Sequence, residues 1–416
     1  MKSPRSCALL CALLLVPCLA AAQRGAWIAT WAASPEPAGP DPKQPVLNLE
    51  NQTVRERVRI SVGGPEIRIR LSNEYGFSPL HVGSVTVAVP NDAATVKPGS
   101  IHVITFGGRN SITIPPGAPV LSDPVVFNAA YGAEISVSLY LPKRVPTPTW
   151  HALALKRAVV SPRGDHTHDE EIQDGKETSS SILISAVLVP AQPTQRLVVA
   201  FGDSLVDGDG STVDTDHNWP SDLIRRLGKT PDGSKLAVVN EGIAGNRLLE
   251  DGPLASLGIS ALARFDRDAL SIPGVTHIVL LEGINDLGFP GARLGELSLA
   301  DPADVRTAED LIAAYRQLIS RAHAHGVKLT GCTVTPWEGV DIPGYYSEAK
   351  EATRQAINKW IRTSHELDGV IDFDAVLRDP GHPSRLLPRF ASEDHLHPND
   401  AGYQAMTDAI NLALFQ

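Results

Sequence analysis

Arg196-Leu197-Val198-Val199-Ala200-Phe201-Gly202-Asp203-Ser204-Leu205-Val206-Asp207-Gly208-Asp209 decides the fold. Its unbroken apolar run, Leu197 to Phe201, is that of a strand buried on both faces, as in a parallel sheet. Gly202, Asp203 and Ser204 then require a sharp turn. A serine there projects its hydroxyl from the carboxyl end of a central strand, where open α/β sheets receive their ligands. The plainer reading of the same residues is a strand-to-helix loop in which Asp203 or Ser204 caps the next helix.

Downstream of this stretch, strands and helices alternate. Asn218-Trp219-Pro220 begins a helix that runs through Leu227, with proline in its first turn. Leu236–Asn240, Thr276–Leu281, Val327–Val334 and Val370–Phe373 read as four more strands. Thr307-Ala308-Glu309-Asp310 has the form of a capping box, opening a long amphipathic helix closed by Gly326. Ser347–Ser364 and Asn399–Leu414 complete the helices. Five short apolar strands interleaved with helices predict a doubly wound parallel sheet covered on both faces.

Upstream, the pattern has period two. Val54 to Val62 alternates, Gly63-Gly64-Pro65 supplies a turn, and Ile67, Ile69 and Leu71 alternate with arginines, so a hairpin is expected. Further strands are expected at Ser84–Val89, Ile101–Phe106, Ser111–Ile114, Val125–Asn128 and Glu134–Leu141, with no helical period between about Gln52 and Val187. Short strands at regular spacing predict a β-sandwich of jelly-roll type. Pro190 and Pro193 mark the change of pattern, giving a sandwich over 23–190 and an α/β domain over 191–416.

The first 22 residues read as a signal peptide. Lys2 and Arg5 precede a short apolar run, and Ala20-Ala21-Ala22 offers a small-residue cleavage site. The run is too short to span a bilayer with these flanks, and Pro17 weakens a lipoprotein reading through Cys18. Export with cleavage near Ala22 is expected. Of four cysteines only Cys332 would remain, which leaves no internal disulfide. Removing Lys2 and Arg5 lowers the formal charge from −10 to about −12, an acidic balance that argues against nucleic acid and anionic membranes. No later segment is long and apolar enough to span a bilayer.

Two features of the first half have both bland and functional readings. His166-Thr167-His168-Asp169-Glu170 matches no strong metal-ligand spacing and reads as a solvated loop, so no metal is expected. Trp27, Trp31, Trp150, Tyr75 and Tyr140 either fill the core or form a sugar-stacking face.

The chemistry-bearing residues follow successive strands. Asn240-Glu241-Gly242-Ile243-Ala244-Gly245-Asn246 is a glycine-rich turn that lets backbone N–H groups approach a ligand. Glu282-Gly283-Ile284-Asn285-Asp286 places an amide beside the same point. In Asp394-His395-Leu396-His397 a spacing of three brings Asp394 and His397 to one side, so that the carboxylate bonds Nδ1 and Nε2 stays free, while His395 points elsewhere.

These four segments resemble the consensus blocks of the SGNH hydrolase superfamily, the GDSL esterases and lipases. The naming residues correspond to Ser204, Gly245, Asn285 and His397, with Asp394 as the triad acid. The first half is similar to the sandwich domain of secreted bacterial members, which open with a Trp-x-x-Thr-Trp segment like Trp27 to Trp31. An α/β-hydrolase is the rival, but Val206 stands where its Gly-x-Ser-x-Gly elbow needs the second glycine. The resemblance implies a flavodoxin-like three-layer αβα domain and a serine esterase needing no metal or cofactor. Its nucleophile would be Ser204, its base His397, and its oxyanion hole the N–H groups of Ser204 and Gly245 with the Asn285 amide. Asp203 and Asp286 are expected to bond nearby backbone. Trp337, Glu338 and Leu287 to Pro290 are expected to line the substrate pocket, with a packed lid residue as the equal alternative for Trp337. An O-acylated carbohydrate is the expected substrate; short-chain, aryl and thioesters and lysophospholipids are alternatives, as is a non-catalytic glycan-binding protein.

Overall fold

The computed structural model describes residues 26–39 and 48–416, so the expected leader lies outside the described residues. The second half is built on a five-stranded parallel sheet in the spatial order Leu236–Gly242, Arg196–Gly202, Val275–Leu281, Lys328–Cys332, Gly369–Ile371. Residues Leu197 to Phe201 are completely buried, as their unbroken apolar run demands. The chain moves outward from the Ser204 strand to Leu236–Gly242, then crosses back to Val275–Leu281. That reversal is the switch point of the sheet, where the connections leaving the carboxyl ends of two neighbouring strands turn to opposite sides and leave a crevice.

Helices cover both faces of the sheet. Trp219–Leu227 packs with Asp400–Ala409, and Ala308–Ala324 with Glu348–Thr363. Their starts follow the sequence signals. Asn218 accepts from the Ser221 N–H with proline in the first turn, and Thr307 and Asp310 form the reciprocal capping box. The last helix is shorter than its periodicity predicts, ending at Ala409 rather than Leu414. Arg226 of the neighbouring helix donates to the Thr407 and Ile410 carbonyls, and Asn411 caps a separate turn over Leu412–Phe415. External capping of the last carbonyls stops the helix.

The first half is antiparallel. One sheet runs Trp27–Ala32, Ile184–Pro190, Gly64–Asn73, Val125–Ala129, with Ala118–Leu121 also paired to Gly64–Asn73. The other runs Lys176–Thr178, Ala158–Arg163, Gln52–Arg59, Glu134–Leu141, Ser84–Ala88, His102–Val103. The expected hairpin around Gly63-Gly64-Pro65 does not form, because its two strands belong to different sheets. Ile60 and Val62 are buried where the chain crosses, and Thr30 and Ser61 clasp the crossing through backbone and hydroxyl bonds. Both alternating faces point inward, but at each other across the core rather than side by side. The Ile101–Phe106 strand shrinks to His102–Val103, since Gly107 and Gly108, both at positive φ, turn the chain back at Phe106.

One apolar cluster runs through both halves. Trp27–Ala32 packs beside Leu236–Gly242, the edge of the parallel sheet, and so covers an otherwise open edge. His166 bonds Asp169 within its loop, whose carbonyls are held by the buried Arg55. Cys332 is buried, and burial pushes its thiol well above the usual range.

His277, near the start of a central strand, is 3% exposed and meets Phe415 edge-on. Burial, with Lys328 and Arg196 nearby, lowers its pKa to about 4. The unfolded chain therefore takes up a proton near pH 6.5 that the folded chain refuses until about pH 4. Stability should fall across that window by up to about 3 kcal/mol. Urea unfolding at pH 7 and pH 4 should show this component vanish in His277→Gln, which cannot titrate.

Candidate active site

Ser204 begins the four-residue helix Ser204–Asp207 directly after its strand. Asp203 caps that helix by accepting the Leu205 N–H (2.9 Å), and Gly202 is required at the strand end because a Cβ there would sit 1.8 Å from the Leu281 carbonyl oxygen. The serine is 4% exposed and its Oγ lies 2.9 Å from His397 Nε2. His397 Nδ1 lies 2.6 Å from Asp394 Oδ2, so the carboxylate takes the Nδ1 hydrogen and Nε2 is left to accept from the serine. Asp394 also accepts from Ser392 and from the Leu396 and His397 N–H groups. Partial burial alone would raise its pKa, but the His397 hydrogen bond and charge and these donors outweigh it and hold the carboxyl well below the usual range. It is ionised at any ordinary pH. His395 is exposed, at φ 59°, and lies outside this chain of bonds.

Gly245 comes to the same place from the turn after the second strand. Its φ is +74°, and a Cβ would meet Leu257 at 2.7 Å, so only glycine is accommodated. Among the described residues, neither the Ser204 N–H nor the Gly245 N–H has an acceptor. Asn285, in the helix Ile284–Gly288 after the third strand, donates from Nδ2 to the Asn246 carbonyl (2.8 Å). Its Oδ1 accepts from the Tyr345 hydroxyl (2.7 Å). The two bonds settle which end of the amide faces the cleft, leaving the second Nδ2 hydrogen free. Asp286 takes the Leu248 and Leu249 N–H groups, and so pins the segment that follows Gly245. Burial lifts Asp286 to about 6 and pushes Asp203 up as well, in each case against its backbone donors.

Ser204, Gly245, Asn285 and His397 open into a single cleft of about 890 Å³, counting its open mouth. The walls are mostly apolar: Leu254, Leu257, Phe289, Leu297, Leu299 and Ile342. Leu294 and Leu297 come from a small hairpin, Arg293–Leu294 with Leu297–Ser298, and Ala152 and Leu153 come from the first half. Asp209 stands at the cleft with its carboxylate 3.8 Å from His397 Nε2.

The expected lining residues are only partly present. Trp337 does not reach the cleft: it is fully buried behind Tyr345, edge-on to that ring at 6.5 Å. Glu338 turns away to pair with Arg385 and Ser384. Of Leu287 to Pro290, Phe289 alone lines the cleft. The large ring at Trp337 was drawn inward by packing, and the residue that it supports, Tyr345, is the one that touches the site. Tyr345 carried no sequence signal beyond lying in the loop after the fourth strand. The leucines of 254–257 and 294–299 lie in no periodic segment and carry no sequence signal either.

Removing the Tyr345 hydroxyl should free the Asn285 amide to rotate. Tyr345→Phe is expected to lower kcat for ester hydrolysis about 10-fold with little change in KM, as loss of one well-placed hydrogen bond near a developing charge does. Steady-state kinetics beside Asn285→Ala, expected to lose about 10²–10³, would check the order.

Residues 200–405 match the GDSL-like Lipase/Acylhydrolase family. No curated protein matches the chain. Solved structures similar to it include a carbohydrate acetylesterase family member from Sinorhizobium meliloti, at 18% identity and TM-score 0.40, covering 52% of this chain and 95% of that one. An acetylxylan esterase from Geobacillus stearothermophilus matches at 18% identity and TM-score 0.39, covering 53% and 93%. A GDSL-like lipase from Bacteroides thetaiotaomicron matches at 16% and 0.37, covering 54% and 90%.

Proposed function

Residues 200–405 belong to the GDSL-like lipase/acylhydrolase family, a carboxylic ester hydrolase domain, and from that premise we propose a serine esterase acting through Ser204, His397 and Asp394 on esters of apolar acyl groups. The observation that carries this reading is the unbroken chain of bonds Asp394–His397–Ser204 ending in a leucine-lined cleft.

The reaction follows from the site's chemistry. A serine hydroxyl is a weak nucleophile, so His397 Nε2 takes its proton as Oγ attacks the ester carbonyl. Asp394 holds the imidazole in the useful tautomer and stabilises the imidazolium. Charge gathering on the carbonyl oxygen is met by the Ser204 and Gly245 N–H groups and the Asn285 amide, each worth about 3 kcal/mol of barrier. His397 then protonates the leaving alcohol, and water resolves the acyl-enzyme by the same route. Asp209, with its carboxylate 3.8 Å from His397 Nε2, stands beside the imidazolium as it forms. No step calls for a metal or organic cofactor.

The cleft bears on the acyl group. An acetyl group would leave most of its apolar wall unused, whereas each further buried methylene contributes about 0.8 kcal/mol. An acyl chain of several carbons, on a small alcohol or glycan outside the mouth, uses that wall. The leader over residues 1–22 supports action outside the cytoplasm, with residues 23–190 as a sandwich domain and 191–416 as the hydrolase domain. Among the described residues, no helix is long and apolar enough to cross a membrane.

Hydrolysis of p-nitrophenyl acetate, butyrate and octanoate by the mature chain tests both parts. The value of kcat/KM should rise about 10-fold or more from acetate to octanoate, following the methylene increment, and Ser204→Ala should abolish turnover of all three. Turnover that survives Ser204→Ala would remove the nucleophile. A steep fall toward octanoate would favour an O-acetyl carbohydrate substrate, and binding of glycans without turnover of any ester would favour a non-catalytic protein.

A further inference from the structure

One side chain from the antiparallel half reaches under the catalytic loops. His151 ends the short strand Thr149–His151 and is 6% exposed. Its Nδ1 lies 3.1 Å from the Ser34 carbonyl oxygen, and its Nε2 lies 3.1 Å from Asp207 Oδ1. The carbonyl accepts only, and so does Asp207 in its ionised form; burial pushes that carboxyl above its usual range and the charge of His151 opposes the rise, so with Asp207 ionised both ring nitrogens carry hydrogen and the ring is an imidazolium. Burial alone would lower its pKa, but Asp207 through charge and hydrogen bond, then Glu36, lift it to about 10. Glu36 stands 3.6 Å from Nδ1 and accepts the Ala152 N–H at 2.6 Å, which fixes the strand end.

The other oxygen of Asp207 gives this contact a consequence. Asp207 Oδ2 accepts the Ala244 N–H at 3.0 Å. Asp207 closes the short helix that Ser204 opens, and Ala244 immediately precedes Gly245. A single carboxylate therefore ties the helix bearing one oxyanion donor to the turn bearing the other. Left without a cation, a carboxylate buried this deeply would shed its charge or draw in water, and its grip on the Ala244 N–H would slacken. Oxyanion donors act only when they are held at the right distance before the charge develops.

We propose that His151 is a positioning residue for ester hydrolysis, anchoring Asp207 so that the Ser204 and Gly245 N–H groups converge on one point. The sandwich half is then part of the catalytic apparatus, and Ala152 and Leu153, next in the chain, line the acyl cleft. This inference rests on the serine-esterase reading above.

The test is His151→Gln in the mature full-length chain, with active sites counted by exhaustive labelling with a fluorophosphonate. Activity is read as kcat and KM on p-nitrophenyl butyrate and as inhibition by an aliphatic trifluoromethyl ketone, whose adduct places an oxyanion in the hole. The expected result is a fall of about 10- to 100-fold in kcat per labelled site, a KM within about 3-fold, and ketone inhibition weakened in parallel, since only interactions stronger in the transition state are lost. Loss of folded protein alone would lower the number of labelled sites and leave kcat per site unchanged. Asp207→Asn should give a similar loss, and the double variant should lose little more than either single one, because the two act in series. Folded His151→Gln with unchanged kcat per site and unchanged ketone inhibition would overturn the proposal, as would full additivity in the double variant. If His151→Gln does not accumulate folded, Asp207→Asn decides on the same readings. Turnover surviving in Ser204→Ala would overturn the esterase reading itself, a result separate from either of these.

Discussion

The site hangs on one buried cation. Arg264, from the helix Ala261–Phe265, is fully inaccessible and lies 4.1 Å over the ring of Phe201. It donates to the Gly202 carbonyl at 2.7 Å and to the Glu241 carbonyl at 2.9 Å, the ends of the two strands that carry Ser204 and the glycine-rich turn. It also reaches Asn246 Oδ1, Asp268 and the Ser34 hydroxyl. The two strands stay paired to these ends, where the Gly202 carbonyl also accepts the Ile243 N–H, and beyond them the chain turns off into the Ser204 helix and the glycine-rich turn. A planar guanidinium with five donors can satisfy several acceptors at once, which a lysine cannot. Because the ion is enclosed, removing it would leave Asn246 Oδ1 without its donor and take a shared donor from both strand ends and from Asp268 together, at a cost above that of a surface pair.

The same constraint joins the two halves of the chain. Ser34, from the first half, bonds both Arg264 and Glu241, and His151 bonds Asp207 a few ångströms away. Buried charges need partners with good geometry, and here the partners come from segments more than 200 residues apart in sequence in the case of Ser34. The antiparallel half is thus attached through the polar floor of the crevice as well as through a shared apolar core. An attachment of that kind resists sliding, because a small displacement breaks several enclosed hydrogen bonds at once.

The cleft shows how apolar residues in loops acquire a common purpose only when folded. Leu254 and Leu257 follow the glycine-rich turn, Leu294 and Leu297 sit on a two-strand hairpin, and Ile342 belongs to the loop after the fourth strand. None belongs to a periodic segment, so none has a face that sequence could assign. Trp337 illustrates the converse. A large aromatic in a loop beside the crevice invites assignment to the pocket, yet the ring gains more by complete burial, and the smaller polar-tipped Tyr345 takes the position at the site.

What the sequence determined by itself was whatever depends on local pattern. Continuous apolar runs specify buried parallel strands, Asn218 and the Thr307–Asp310 box specify helix starts, and a spacing of three residues places Asp394 beside His397, since all of these act within one turn or one strand. Tertiary structure alone decided which strands share a sheet, so the alternation flanking Gly63-Gly64-Pro65 was compatible with a hairpin and became a crossing between sheets instead. It alone decided that Arg264, His151 and Tyr345 serve the crevice. Their partners are distant in the chain, and a long-range hydrogen bond leaves no periodicity, spacing or composition to read. The final helix fell between these cases. Its start was written in Asn399, but its end was set by Arg226, a cation delivered from another helix.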